Sequence, residues 1–116
     1  MSTDRPIDDY LADIIEAISD ISSFIAGMNY EGFAADKKTV NAVIRSLEVI
    51  GEAVKKIPTG LRQKHNDLPW KEIAGTRDKL IHEYFGVDLQ ILWETAKSDL
   101  VPLEKAIRSL QEDISS

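Results

Sequence analysis

Apolar residues recur at spacings of three and four over three long stretches of the chain, and this periodicity decides the class of fold. The first stripe is Ile7, Tyr10, Leu11, Ile14, Ile18, Ile21, Phe24, Ile25 and Met28. The second is Val40, Val43, Ile44, Leu47, Ile50, Val54 and Ile57, and the third is Leu89, Leu92, Trp93, Ala96, Leu100, Leu103, Ile107 and Leu110. Such spacing gathers each set on one face of a helix. Pro6 suits the start of the first helix, and Gly27 with the stretch 29–32 marks its end. Pro58 closes the second, and Asp88 is placed to cap the third. Pro102 falls inside the third pattern and has no N–H to give, so a kink or break is expected near Ser98–Asp99.

Between the second and third stripes lie a short piece at 61–65 and a shorter helical pattern of Ile73, Leu80, Ile81, Tyr84 and Phe85 that stops at Gly86. No stretch alternates with a period of two, and no internal repeat is present. The expectation is an all-α fold: an antiparallel bundle of three long helices and one or two short ones. A length of 116 residues suits a single domain over 1–116. A bundle this small leaves apolar surface over, and Trp70 and Trp93 are the residues expected at a contact between two copies.

Cysteine is absent, which excludes disulfides and thiolate metal sites and suits a reducing compartment. No apolar run approaches the roughly 20 residues that span a bilayer, and the polar, acidic start is unlike a secretory signal. A soluble, cytoplasmic protein is expected, with no membrane partner. The formal net charge of −6 argues at first against a nucleic-acid partner. Its distribution qualifies that. Through Asp36 the chain carries Asp4, Asp8, Asp9, Asp13, Glu16, Asp20, Glu31 and Asp36 against Arg5 alone. From Lys55 to Lys79 the balance reverses, with Lys55, Lys56, Arg62, Lys64, Lys71, Arg77 and Lys79 facing Asp67, Glu72 and Asp78. This is either ordinary surface scatter or a basic patch on an acidic body that accepts an anion.

Several chemistries are excluded by spacing. Gly51, Gly60 and Gly75 stand singly, so there is no phosphate-cradling glycine loop. Histidine occurs only at 65 and 82, too sparse for a zinc site without distant carboxylates. No metal or cofactor is expected. The segment from Trp70 to Asp88 stands out because it sets Arg77, His82 and Tyr84 among apolar residues. RNA cleavage without a metal needs a base for the 2′-hydroxyl proton, an acid for the leaving 5′-oxygen and a cation for the charge on phosphorus oxygens. An imidazole performs either proton task near neutral pH, and a guanidinium presents a fork suited to phosphate. On residue types alone, His82 fits a capping or packing role as well, Tyr84 a core or interface aromatic, and His65 an exposed loop.

On a straight helix Arg77 and His82 would lie about 140° apart and roughly 7.5 Å along the axis, while Tyr84 returns to within about 20° of Arg77. A regular helix therefore does not join Arg77 to His82. Either the helix is irregular here or counterparts come from a second copy. A pair of chains also supplies two imidazoles, one for each proton task.

Arg77-Asp78-Lys79-Leu80-Ile81-His82-Glu83-Tyr84 resembles the R-x4-H-x-Y motif of the HepT-like branch of the HEPN superfamily. The flanks agree: Leu68-Pro-Trp-Lys-Glu-Ile-Ala-Gly before it, Phe85-Gly-Val-Asp after it, and Arg45-Ser-Leu-Glu-Val-Ile-Gly-Glu-Ala upstream. The likeness runs from about Ile7 to Leu110. It implies a HEPN-like helical bundle that forms a homodimer, with two motifs facing one cleft, and metal-independent endoribonuclease activity. Arg77 would stabilise the phosphate, His82 move the proton and Asp78 orient them. It also implies a toxin neutralised by a nucleotidyltransferase antitoxin that transfers AMP onto Tyr84, placing charge and bulk beside a cleft that must admit a polyanion. RNA rather than DNA is the expected substrate. The rival reading is a non-catalytic helical subunit that binds a nucleotidyltransferase, to which the acidic first helix and negative net charge are suited.

Overall fold

The computed structural model describes residues 5–66, 68, 70, 73 and 88–115, and every regular element among them is helical. The first stripe becomes α1, Ile7–Ile25, with Pro6 at its N-cap and Leu11, Ile14, Ala17, Ile18 and Ile21 buried. It ends before Gly27, whose φ of 77° is open to a residue without a Cβ. The second becomes α3, Lys37–Lys55, burying Val40, Val43, Ser46, Leu47, Ile50, Gly51, Ala53 and Val54. Asp36 caps α3: its carboxylate accepts from the Thr39 N–H at 3.2 Å and the Thr39 hydroxyl at 2.9 Å.

Between them lies α2, Tyr30–Ala35, where the sequence reads only as a turn. Asn29, whose side chain accepts from Gly32 N–H at 2.8 Å, caps this helix rather than ending the previous one. One residue of α2, Phe33, is fully buried. The helix exists to carry that ring.

After α3 come a single turn, α4 at Thr59–Arg62, and a 3-10 turn at Gln63–His65. Trp70 and Ile73 are helical, in keeping with the short pattern that includes Ile73; Leu80, Ile81, Tyr84, Phe85 and Gly86 lie outside the described residues. The third stripe opens as α5, Leu89–Glu94. It widens into a π-turn at Thr95–Asp99 and resumes as α6, Leu100–Ser115. The disturbance thus falls where Pro102 denies the Ser98 carbonyl its i+4 donor. The Thr95 hydroxyl bonds back to the Ile91 carbonyl at 3.0 Å on the preceding turn.

α1 packs along α3 on one side and against α6 on another, while α2 covers α5. The core they enclose includes Trp70 and Trp93, 8% and 6% exposed. That corrects the expectation that the two indoles serve a contact between copies. Trp93 is covered within its own chain by Phe33, ring centroids 5.2 Å apart, with the Lys97 ammonium 5.5 Å from the indole. Among the described residues the large apolar side chains left exposed are Phe24, Ile91 and Val101. No described helix is long and apolar enough to cross a membrane.

Candidate active site

Arg77, Asp78, His82 and Tyr84 lie outside the described residues, and the structure defines the frame that leads into and out of their segment. On the upstream side the frame is built on one carbonyl. The oxygen of His65 accepts the Leu68 N–H at 3.1 Å and the Trp70 indole N–H at 2.9 Å. An indole in the core loses its hydration and is held there at little cost only when its N–H finds an acceptor. Leu68 and Ile73 pack at the margin of the same core. His65 is half-buried rather than exposed, and its contribution is a backbone oxygen that fixes where the chain enters the motif.

The downstream side is a helix cap. The Asp88 carboxylate accepts from Gln90 N–H at 2.9 Å and Ile91 N–H at 3.2 Å, and its carbonyl takes the Leu92 N–H at 3.0 Å. Three donors at the start of α5 are thereby satisfied. Leu92 and Trp93 then root this helix in the core. The segment carrying the motif therefore runs between two fixed points, a buried tryptophan and a capped helix.

The upstream side is rich in cations, with carboxylates meeting only some of them. From Ala53 to Asn66 the sequence holds Lys55, Lys56, Arg62, Lys64 and His65 and no carboxylate. Lys55 meets Glu52 at 3.9 Å and Lys64 meets Asp113 of α6 at 3.8 Å, both at the surface. Arg62 is half-buried, and its Nε is shielded from water without an acceptor. Sequence reading counted Arg62 among the basic residues but gave no sign of this burial, which depends on how the turn at 59–65 folds back. Among the described residues no group of three His, Cys, Asp or Glu side chains is placed to hold a metal ion.

Comparison with known proteins bears on this segment. The profile of a family described as ribonuclease HepT-like matches residues 14–110, a span that contains Arg77 through Tyr84. A Methanocaldococcus jannaschii protein provisionally named an RNase is 50% identical over 110 residues, covering 95% of this chain and 91% of its own. A Thermococcus cleftensis protein provisionally named ribonuclease HepT is 50% identical over 104 residues, covering 90% and 94%. A provisionally named RNase of Caldanaerobacter subterraneus is 46% identical over 110 residues, covering 95% and 96%. No solved structure matches the chain.

Proposed function

The chain belongs to the HepT-like ribonuclease family, and from that premise we propose that it is the toxin of a toxin–antitoxin pair, a metal-independent endoribonuclease. What carries the reading is the complete R-x4-H-x-Y motif at 77–84 within the span matched to the family. The 2′-oxygen attacks the adjacent phosphorus as its proton passes to a base, and the 5′-oxygen leaves as it gains a proton from an acid. The products are a 2′,3′-cyclic phosphate and a 5′-hydroxyl, with no water consumed. Arg77 balances the charge that accumulates on the non-bridging oxygens, and His82 transfers the proton. Asp78 orients the pair.

One imidazole cannot give and take a proton in the same step. Two HEPN-like bundles joined as a homodimer, each a single domain, bring two copies of His82 to one cleft. Control is exerted through Tyr84. A partner nucleotidyltransferase attaches AMP to its hydroxyl, and the added phosphate repels the substrate while the adenosine fills the entrance.

The test is incubation of the purified chain with single-stranded RNA in excess EDTA. Fragments ending in 2′,3′-cyclic phosphate are expected, together with a loss of activity of 10²-fold or more in His82→Ala and Arg77→Ala, the scale usual for a lost proton-transfer or charge-stabilising group. RNA left intact by the wild type, in a preparation that still binds a nucleotidyltransferase, would instead establish the non-catalytic subunit.

A further inference from the structure

Resting on the ribonuclease reading, we infer that the surface formed by the end of α3, α4 and the 3-10 turn is a track for the substrate's phosphate backbone, with Lys56 and Arg62 as its two main contacts. The argument starts from the imbalance of charge. On a chain of net charge −6, the fourteen residues from Ala53 to Asn66 carry four permanent cations and no carboxylate. Part of this has a local explanation, since lysines at a helix C-terminus complement its exposed carbonyls. That accounts for Lys55 and Lys56. Arg62 also ends a helix, the single turn of α4, but four residues sum to little dipole, and what sets Arg62 apart is its burial.

Arg62 is half-buried, its Nε cut off from water, and among the described residues no carboxylate meets its guanidinium. A cation in that position has lost part of its hydration without gaining a counter-charge. An incoming phosphate supplies the counter-charge, and the planar fork takes it in a defined orientation. Lys56, exposed and likewise without a carboxylate partner among the described residues, lies one buried residue and a proline before α4. The track is held in place. Ile57 is buried, Leu61 packs against the core, and Lys64 reaches Asp113 on α6. The same turn ends at the His65 carbonyl that anchors Trp70, seven residues before Arg77 in the sequence.

The test is the salt dependence of binding to a fluorescein-labelled single-stranded RNA, measured by anisotropy with the full chain in a His82→Ala background that keeps the strand whole. Lys56→Gln/Arg62→Gln is expected to reduce the slope of log affinity against log salt by about 1.4, at roughly 0.7 per single-strand phosphate contact. Lys37→Gln/Lys38→Gln makes the same charge change at the other end of α3, about 27 Å away, and is expected to leave the slope unchanged. Lys56→Gln alone spares both the half-buried Arg62 and the Lys64–Asp113 pair and keeps the test open if replacing Arg62 impairs folding. It is expected to lower the slope by about 0.7. Equal changes at both ends of α3, or none at the track, overturn the inference. A chain that shows the expected slopes yet cleaves no RNA leaves the track standing and removes the ribonuclease reading alone.

Discussion

Two side chains, one beside the motif and one at the start of α3, show what single residues hold in place. Trp70 is held by packing and by one hydrogen bond to the His65 carbonyl. Trp70→Phe removes the donor and part of the buried ring, and since that oxygen retains the Leu68 N–H, the lost hydrogen bond and the lost packing together are expected to cost about 1–3 kcal/mol, measured by urea unfolding. Ribonuclease activity is expected to fall further than stability does, because this residue sets the entry to the segment of Arg77. Asp36 gives a pH signature. The hydroxyl and N–H of Thr39 hold its carboxyl below its ordinary value of 3.8. A lowered folded-state value means that the stabilisation is complete above the unfolded value and is lost as pH falls through the lowered one. Asp36→Asn keeps a capping oxygen without the charge. The stability advantage of wild type over this variant, followed by thermal unfolding, is expected to be flat from neutral pH to about pH 5 and to shrink below 3.8.

At the level of elements, the sequence was most readable where a single periodicity ran long. The stripes through Leu11–Ile21, Val40–Val54 and Leu100–Leu110 became the buried faces of α1, α3 and α6, and Asp88 and Pro102 marked a cap and a disturbed turn where local chemistry requires them. α2 was unreadable for a physical reason. Six residues hold no period, Asn29 and Gly32 look like turn formers, and the reason for the helix is Phe33 meeting Trp93, some sixty residues away in sequence. The same long-range contact buries Trp93 within its own chain. The motif at 77–84 was legible as a pattern, whereas the carbonyl that anchors its approach was not, because a backbone oxygen leaves no mark in the sequence. Phe33→Ala is expected to destabilise the chain by about 3–5 kcal/mol, by urea unfolding, and to uncover Trp93, seen as a red shift of its emission. A much smaller loss would mean that α2 is not the cover of α5.

For the whole molecule, the proposed pairing of two copies makes a prediction of its own, and Ile91 and Val101 are exposed apolar side chains left for a partner to cover. A functional measurement checks it: co-refolding equal amounts of wild type and His82→Ala should leave about one quarter of the activity if both copies must supply an imidazole, since a quarter of random pairs are wild type on both sides. Half the activity would mean that each chain works alone. The packing of α1 against α6 also has a consequence for synthesis. α1, with its stripe from Leu11 to Ile21, precedes the motif at 77–84 in the sequence, and α6, one of the helices that shelters that stripe, follows it. On a growing polypeptide the motif is therefore translated while α1 still lacks part of its cover, and the bundle closes only once α6 has been made.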